Sequence, residues 1–281
     1  MKNNMPNCSV IVSVYKDIEN LDLILESLSE QTVLPNEVIV SEDGECQEVL
    51  EYVKTAQSKY NNLTIRHSYQ EDIGWRKNRA LNRAIVAAAH EYLIFIDGDC
   101  VPYRTFIEAH VLCAEKNIVL CGKRIELGEK VSLEIKKRKL KVSDIERNFF
   151  FYLPKLLLDK ARHPEDGIPF NHNSWIAKQV NNRYVRHIIG CNFSCYKEDL
   201  LKINGFDETF VLPCEGEDVD PSWRFREVGV ELKSCRCVAN IAHIYHKKRF
   251  GKDEGAVNRA IMEKNIKENN VFCKNGIIKQ G

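Results

Sequence analysis

The sequence predicts an α/β protein whose mostly parallel central sheet is flanked by helices. Segments rich in β-branched residues alternate with segments that carry apolar side chains at helical spacing. In chain order these are a strand at residues 9–15, a helix at 20–30, a strand at 37–41, a helix at 47–60 and a strand at 63–67. Residues 92–96 then form a continuous apolar run, which is typical of a strand covered on both faces. Such alternation pairs strands in parallel through right-handed crossovers.

The composition is that of a globular protein with a substantial core. The chain has 281 residues, of which 44% are hydrophobic and 29% charged, and its formal net charge is +1. We expect no nucleic-acid partner from this balance. The first residues lack an apolar signal region, no apolar run approaches a membrane span, and eleven cysteines are scattered without framework spacing. We therefore expect a cytoplasmic protein with reduced thiols, and the spacings Cys191/Cys195 and Cys235/Cys237 disfavour zinc.

Acidic residues follow two of the predicted strands. Glu42 and Asp43 come after the strand at 37–41, and Asp97 and Asp99 come after the apolar run. Carboxylates this close repel each other unless a cation lies between them, and Mg²⁺ or Mn²⁺ prefers oxygen ligands. The alternative is a turn, because Asp-Gly is common turn chemistry. Both acidic ends open on the same edge of a parallel sheet, which favours a ligand site over two unrelated turns.

A basic cluster lies near the start of a further predicted helix, which begins after Gly74. No glycine-rich phosphate loop follows either acidic strand, so metal and side chains would have to hold the phosphates of a ligand. Arg76, Lys77 and Arg79 lie in the first turns of this helix, where positive charge opposes the helix dipole unless an anion binds nearby. The alternative is that these side chains make surface pairs.

The rest of the chain alternates less regularly. Its predicted segments are a helix at 105–116, a strand at 118–121, a helical arm at 128–159, a loop at 164–183, an apolar segment at 187–195, helices at 197–203 and 221–228, a strand at 238–245 and a helix at 256–267. The arm combines basic residues with the aromatic run 149–153. It either packs these aromatic side chains into the core or presents them to a membrane surface.

A second acidic cluster precedes the helix at 221–228. Four carboxylates stand within residues 215–220, more than the capping of one helix requires, so a general base or a substrate-binding group is expected there. His243 and His246 end the predicted strand at 238–245. A lone histidine is more often structural, but histidines near several carboxylates are candidate metal ligands.

Taken in order, these residues resemble the signature of glycosyltransferase family 2, in the branch related to chondroitin-polymerase and β-1,4-galactosyltransferase domains. The resemblance extends over nearly the whole chain and comprises Gln31-Thr32, Glu42-Asp43-Gly44, Gly74-Trp75-Arg76, Leu81-Asn82, Asp97-Gly98-Asp99, residues 190–194, Asn204-Gly205-Phe206-Asp207, Glu217-Asp218 and His246. It implies the GT-A (Rossmann-like) fold as one continuous domain. A nucleotide-sugar-binding half at 1–122 would precede a smaller acceptor-binding half at 123–281, with the helical arm at about 128–187.

The resemblance also implies ligands and roles. The donor would be a nucleotide-sugar, most often a UDP-sugar, the cofactor Mn²⁺ or Mg²⁺, and the acceptor a glycan or a lipid-linked saccharide of surface polysaccharide biosynthesis. Asp99 and His246 would bind the metal, with Asp97 and His243 as weaker candidates. Asp218 would be the general base of an inverting transfer, with Glu217 beside it. Donor contacts are implied for Ser13, Tyr15, Glu42, Asp43, Gly74, Trp75, Arg76, Arg79, Asp97 and Gly98.

Three departures from the family pattern bear on these roles. The usual Trp-Gly-Gly before Glu-Asp is replaced by residues 213–216, Pro-Cys-Glu-Gly, which removes a stacking surface for a sugar ring. Leu81 stands where many members carry arginine, so Arg76 or Arg79 would have to supply that charge. Glu42 replaces the more usual aspartate, a mild change.

Two other functions are weighed against this one. A sugar nucleotidyltransferase needs a glycine-rich basic loop after the first strand, and residues 15–19 do not provide one. A non-catalytic nucleotide- or glycan-binding module is the other alternative. The presence of Asp97, Asp99 and Asp218 argues against it.

Overall fold

The structure, a computed structural model, describes residues 5–213, 216–247 and 252–280. The strands are β1 (Cys8–Val14), β2 (Glu37–Glu42), β3 (Ile65–Ser68), β4 (Tyr92–Asp97), β5 (Cys100–Pro102), β6 (Ile118–Cys121), β7 (Arg124–Glu126), β8 (Phe193–Tyr196), β9 (Glu231–Ser234) and β10 (Ile241–His243). The helices are α1 (Ile18–Ser29), α2 (Gln47–Lys59), α3 (Lys77–Ala87), α4 (Phe106–Leu112), α5 (Glu129–Lys136), α6 (Val142–Arg147), α7 (Phe149–Leu158), α8 (Trp175–Asn181), α9 (Lys197–Lys202), α10 (Gly216–Glu227) and α11 (Lys252–Lys267).

The main sheet confirms the predicted α/β class. Among the described residues it has seven strands in the order β3-β2-β1-β4-β8-β6-β9. All neighbouring pairs are parallel except those of β8, which runs antiparallel to both β4 and β6. Because β8 pairs with β4, the predicted halves at 1–122 and 123–281 contribute to one sheet. Their division into two functional halves stays a prediction.

Both faces of this sheet are covered, as the unbroken apolar runs predict. Along β1, Val10 and Val12 pack into one buried apolar cluster and Ile11 packs into the other. On β4, Phe95 stacks on Phe193 of β8, with ring centroids 4.4 Å apart. Complete burial of each such side chain stabilises the fold by about 1.5–3 kcal/mol. The sheet is therefore a rigid support for the residues at its carboxyl edge.

A second, three-stranded sheet has the order β5-β10-β7. Strand β10 is antiparallel to β5 and parallel to β7. Since β5 begins at Cys100, directly after the acidic end of β4, this small sheet brings residues from near the C-terminus beside that acidic end.

The helical arm comprises α5, α6 and α7, and its basic residues pair largely with α1. Lys136 contacts Glu19 at 2.9 Å, and Arg138 contacts both Asp22 and Glu26. The apolar side chains of α7 are divided: Phe149 and Leu156 are buried, whereas three others are largely exposed, namely Phe150 (70%), Phe151 (79%) and Leu158 (86%). In the part of the chain that the structure describes, no helix is long and apolar enough to cross a bilayer.

Some element boundaries differ from those expected. The predicted loop at 164–183 contains α8, which begins where the Ser174 hydroxyl accepts a hydrogen bond from the Ala177 N–H. The helix predicted at 221–228 begins earlier, because α10 starts at Gly216. The sequence pattern places the helix start at Pro221, since proline favours the first turn, but Pro221 lies inside α10. Strand β10 is much shorter than the predicted 238–245, since it is limited to the residues that pair with β5 and β7.

Candidate active site

Asp97 ends β4 at the carboxyl edge of the main sheet. It lies opposite Ser13 of β1 in the parallel register. A Cβ atom on the next residue, Gly98, would lie only 2.4 Å from the Ser13 carbonyl oxygen. Only a residue without a side chain fits against β1 there, so glycine between the two acids is a packing requirement. This explains Gly98 without any ligand contact, and its donor-binding role stays a prediction.

Asp99, His243 and His246 form the candidate metal site. Their ligand atoms all lie within 4.8 Å of one another. Asp99 Oδ2 is 3.4 Å from His243 Nε2 and 3.2 Å from His246 Nε2. The small sheet creates this arrangement, because its register places His243 opposite Cys100 and the Ile244 N–H donates to the Asp99 carbonyl at 2.8 Å. Both histidines, rather than one of them, therefore contact the acidic residue.

The chemistry of this cluster fits a divalent cation. Burial by itself would raise the pKa of the Asp99 carboxyl, but the contacts with His243 and His246 outweigh burial and hold that pKa well below its usual range. Mn²⁺ accepts both carboxylate and imidazole ligands, whereas Mg²⁺ binds through oxygen almost exclusively. One carboxylate with two imidazoles thus fits Mn²⁺ better than Mg²⁺.

A lysine links the end of β4 to the predicted general base. Lys77, at the start of α3, donates from Nζ to Asp97 Oδ1 at 2.7 Å. A Cβ atom on Gly190 would lie 3.6 Å from Lys77 Nζ and 3.3 Å from Asp218 Cβ, so these groups converge on Gly190. The Gly190 N–H donates to Asp218 Oδ2 at 3.2 Å. Asp97, Lys77 and Asp218 therefore lie in one cluster.

The Asp218 carboxyl has the electrostatics of a base. Burial raises its pKa, Lys77 and the Gly190 N–H lower it, and Asp97 raises it again; the net shift is upward. A carboxylate whose pKa is raised binds a proton more strongly than an exposed aspartate does. The carboxylate is held in place by the backbone hydrogen bond from Gly190.

The Glu42 side chain lies under the sheet edge. It is fully buried, its Oε1 accepts from the Cys46 N–H at 2.9 Å, and its Oε2 lies 2.8 Å from His67 Nε2. Both oxygens are thus used within the protein. Glu42 therefore joins β2 to the start of α2 and to β3, and the donor contact expected for it stays a prediction.

Asp43 anchors the loop before α3. It is 7% exposed and accepts hydrogen bonds from Gln70 Nε2 at 2.8 Å and from the Arg76 N–H at 2.7 Å. The second bond lies at the N-terminus of α3, where a carboxylate also interacts favourably with the helix dipole. Asp43 therefore offsets part of the unfavourable charge of the basic first turns.

Other predicted donor residues lie on this loop or near it. Tyr15 is half exposed, and its hydroxyl donates to Asp72 at 3.3 Å. Gly74 has a φ of +84°, a left-handed conformation that favours glycine. The Arg76 guanidinium donates to the carbonyl of the adjacent Trp75 at 2.7 Å, while Arg79 is half-buried on α3. Tyr15 thus contacts the loop that carries Gly74 and Arg76.

Sequence patterns alone do not reveal three residues that organise this edge. Lys77 is visible only as one charge of a basic cluster, and His67 and Gln70 carry no motif. The available signal is indirect: buried carboxylates such as those of Glu42 and Asp43 need hydrogen-bond partners. The strand that pairs with β2 is β3, which contains His67 and is followed by Gln70. The side chain of Glu217 lies outside the described residues, as do Glu215, Lys248 and Arg249.

Comparison with known families gives two matches. The family described as glycosyl transferase family 2 matches residues 9–185, and the family described as the N-terminal domain of galactosyltransferase matches residues 173–247. The first range contains the acidic ends of β2 and β4, and the second contains Asp218, His243 and His246.

Individual relatives are distant. Chondroitin synthase of Escherichia coli is 24% identical over 250 residues, which is 87% of this chain and 35% of that protein. Glycosyltransferase AglE of Haloferax volcanii is 31% identical over 113 residues, covering 40% of this chain and 36% of that protein. The chain thus spans about a third of the length of these relatives.

Solved structures share the fold. The mannosyltransferase PcManGT from Pyrobaculum calidifontis, in complex with GDP-Man and Mn²⁺, has a TM-score of 0.59 and 17% identity, covering 94% of this chain and 65% of that one. GalNAc-T7 with UDP, GalNAc and Mn²⁺ has a TM-score of 0.62 and 12% identity, covering 94% of this chain and 48% of that one. At these identities the likeness establishes the GT-A fold alone.

Proposed function

Because the chain belongs to glycosyltransferase family 2, we propose that it is an inverting, metal-dependent enzyme that transfers a sugar from a UDP-sugar to a hydroxyl of a glycan or lipid-linked acceptor. The observation that carries the proposal is the cluster of Asp99, His243 and His246 at the same sheet edge as Asp218. Relatives named for chondroitin and amylovoran synthesis support a role in surface polysaccharide biosynthesis.

Asp99, His243 and His246 would hold the cation, and their ligand set fits Mn²⁺ better than Mg²⁺. When bound, such an ion supplies positive charge to the diphosphate that leaves with the nucleotide. Asp97, which is bound to Lys77, would lie toward the ribose of the donor. GDP-Man and UDP, with Mn²⁺, are bound by the two structural neighbours, which supports a nucleotide-sugar donor.

Asp218 would act on the acceptor. A sugar hydroxyl is a weak nucleophile, so a carboxylate must take its proton as the new bond to the anomeric carbon forms. Direct attack from the face opposite the leaving group inverts the anomeric centre, so an α-linked UDP-sugar would yield a β-glycoside. Lys77 would hold the carboxylates of Asp97 and Asp218 close together by neutralising part of their repulsion.

A panel of UDP-sugars with Mn²⁺ tests this function through donor hydrolysis and transfer. We expect Asp99→Ala and Asp218→Asn each to lower transfer at least about 100-fold, since general-base catalysis alone contributes about 10²–10⁴-fold. Glu231→Gln, an exposed carboxylate on β9, is the matched control. Full activity in both site variants would refute the proposed mechanism.

We further propose that α7 contacts an anionic membrane surface. Its exposed apolar side chains, Phe150, Phe151 and Leu158, accompany basic residues of the same arm, and Lys139 and Arg147 are exposed with no ion pair among the described residues. Phosphatidylglycerol vesicles should cosediment with the wild-type protein and much less with Phe151→Ser. Equal binding to neutral phosphatidylcholine vesicles, or none to either, would refute this contact.

A further inference from the structure

The segment 185–190, which ends at Gly190, is attached to one face of α10. Three side chains that recur every four residues of α10 share that face and bind the backbone of the segment, namely Asp218, Ser222 and Arg226. The Gly190 N–H donates to Asp218 Oδ2 at 3.2 Å. The Ser222 hydroxyl accepts from the N–H of residue 188 at 2.9 Å. The chain continues from Gly190 towards β8, so the position of the Gly190 N–H also depends on what holds the residues that follow it.

Asn192 holds that end of the segment. Its side chain is fully buried, and its Nδ2 atom donates to the carbonyls of Lys123 and Ala239, both at 2.8 Å. Its own carbonyl accepts from the Gly122 N–H at 2.9 Å, and a Cβ atom on Gly122 would lie only 2.2 Å from the Asn192 amide. Lys123 directly precedes β7, and Ala239 lies two residues before β10. One buried amide therefore joins the segment to the chain that leads into two strands of the small sheet.

Asn192 is also the last member of a chain of four fully buried side chains, which we call the buried relay. Its members, in order, are Tyr92 of β4, Ser194 of β8, His110 of α4 and Asn192. The Tyr92 hydroxyl lies 2.7 Å from Ser194 Oγ, which lies 2.7 Å from His110 Nδ1. His110 Nε2 lies 3.2 Å from Asn192 Oδ1. Since these atoms are shielded from water, a broken bond would leave polar groups unpaired inside the protein, and the relay therefore resists displacement.

The direction of the hydrogen bonds in the buried relay follows from its Asn192 end. Carbonyl oxygens can only accept, so the amide nitrogen of Asn192 faces the two carbonyls and its oxygen faces His110. His110 Nε2 must therefore carry a proton. Burial lowers the pKa of His110 to about 4, which the hydrogen bond with Asn192 opposes only in part. The imidazole is thus neutral at pH 7, with Nδ1 accepting from Ser194 and a single N–H directed at Asn192.

We propose that His110 is a positioning residue of the transfer reaction. It holds the Asn192 amide, which in turn sets the Gly190 N–H against Asp218. The inference rests on the proposed function, in which Asp218 takes the proton of the acceptor hydroxyl. His110 is completely enclosed by protein and acts through Asn192 rather than on a substrate. Because a hydrogen bond weakens steeply as its angle and length change, a displaced Asn192 would weaken the bond from Gly190 to the base.

The pKa of Asp218 reports this position. Burial raises it, Lys77 and the Gly190 N–H lower it, and Asp97 raises it again. His187, on the attached segment, also interacts with the Asp218 charge, and burial lowers the pKa of that imidazole. Lys77 and Asp97 are not members of the buried relay. If the Gly190 N–H moves away, one of the groups that lower the pKa of Asp218 is lost, and that pKa rises.

Carbon-13 NMR of the Asp218 carboxyl measures this pKa without any activity, with Asp218→Asn to assign the signal. His110→Phe keeps a ring of similar size but removes both ring nitrogens, and we expect it to raise the pKa of Asp218. The acidic limb of kcat/KM for transfer should move to higher pH, so that kcat/KM on that limb falls at least about threefold. His110→Gln places an N–H near the position of Nε2 and should restore both quantities towards the wild type.

Two further variants separate positioning from stability. Tyr60→Phe is the matched control, because the buried Tyr60 hydroxyl donates to Asp22 at 2.8 Å outside the buried relay. It should lower Tm, as His110→Phe does, without changing the pKa of Asp218. Ser194→Ala removes the donor to His110 Nδ1 and lets the imidazole adopt its other tautomer. We expect a smaller rise in the pKa of Asp218, and this variant replaces His110→Phe if the latter does not fold.

The outcomes distinguish this inference from the proposed function. A wild-type pKa of Asp218 in folded His110→Phe, or in Ser194→Ala where His110→Phe does not fold, would overturn the inference. A rise of the same size in His110→Gln or in Tyr60→Phe would also overturn it, since the N–H of His110 would not be its cause. These results leave the proposed function standing. A rise confined to His110→Phe and Ser194→Ala, in a wild-type protein that transfers no sugar, would contradict the proposed function but not the positioning of Asp218.

Discussion

At the level of single residues, the carboxylates of the candidate site are each balanced by neighbouring groups. Asp97 and Asp218 would repel each other, and Lys77 lies between them. Asp99 is stabilised as a carboxylate by two imidazoles, whereas burial leaves Asp218 with a raised pKa. The carboxyls of Asp99 and Asp218 therefore have pKa values shifted in opposite directions. That contrast suits one acid to ligand binding and the other to proton transfer.

Lys77→Met should move the pH profile of transfer. Because Lys77 lowers the pKa of Asp218, its loss raises that pKa further, and the base is then active only at higher pH. The acidic limb of the kcat/KM profile is expected to shift to higher pH. Lys77→Arg keeps the charge and should leave the limb near its wild-type position. An unshifted limb in Lys77→Met would contradict the pairing.

Asp218→Asn should stabilise the protein at pH 7 while it lowers transfer. A carboxyl whose folded-state pKa is raised contributes stability below its unfolded pKa, near 3.9, and loses it as pH rises through the folded value. At pH 7 the charged form therefore costs stability, and asparagine removes that cost. Calorimetry should show a higher Tm for the variant at pH 7 but not at pH 3. Each kcal/mol added to the free energy of unfolding raises Tm by about 2–4 °C. A lower Tm at pH 7 would show that the charge is compensated.

At the scale of elements, two pairings bring the site together. The register of β5 with β10 sets Asp99 beside His243, and the face of α10 that carries Asp218, Ser222 and Arg226 holds the segment 185–190. Neither pairing is local in sequence. Each places one of the proposed site residues by means of backbone hydrogen bonds, so small changes in these elements should affect the proposed chemistry.

Ser222→Ala tests the attachment of the segment to α10. The Ile188 N–H is buried and would lose its acceptor, which destabilises the fold by about 1–3 kcal/mol. Because the segment carries Gly190, we expect kcat/KM for transfer to fall more than the rate of donor hydrolysis. Urea unfolding and the two assays measure both effects. Glu227→Gln, one residue beyond the attached face and exposed, should change neither.

At the scale of the whole molecule, one sheet carries residues from both predicted halves, and the first strand of a second sheet, β5, follows the acidic end of β4. The arm packs against α1 through ion pairs while part of α7 faces solvent. Asp99 and the two histidines are far apart in the chain and meet at the small sheet, so a ligand that binds Asp99, His243 and His246 would connect distant parts of the chain.

Mn²⁺ should therefore stabilise the whole fold. A ligand present at 100 times its Kd adds about 2.7 kcal/mol to the free energy of unfolding. We expect a rise in Tm with Mn²⁺ that EDTA reverses, a larger rise when UDP is also present, and neither in His243→Ala or Asp99→Ala. His172→Ala, at a half-buried histidine that belongs to neither candidate metal cluster among the described residues, is the control. The same rise in the two site variants would place the ion elsewhere.

Much of the fold followed from local patterns, because each strand of the first half carries its own apolar signal. The same patterns found every member of the Asp99, His243 and His246 cluster as a candidate, since acids at strand ends and histidines near them are visible in one dimension. They could not say which histidine contacts the acid. That depends on the register of β10, which backbone pairing with β5 and β7 decides.

Patterns of residue type along the chain are sufficient for the fold class, for the family and for the set of side chains that gather at the sheet edge. Which of these side chains meet depends on long-range packing. Lys77 joins Asp97 to the surroundings of Asp218, Glu42 turns inward to His67, and the segment 185–190 lies along α10. These contacts join residues far apart in the chain. Their geometry and their electrostatics arise only from packing, because charge interactions depend on distance and burial, which no local pattern records.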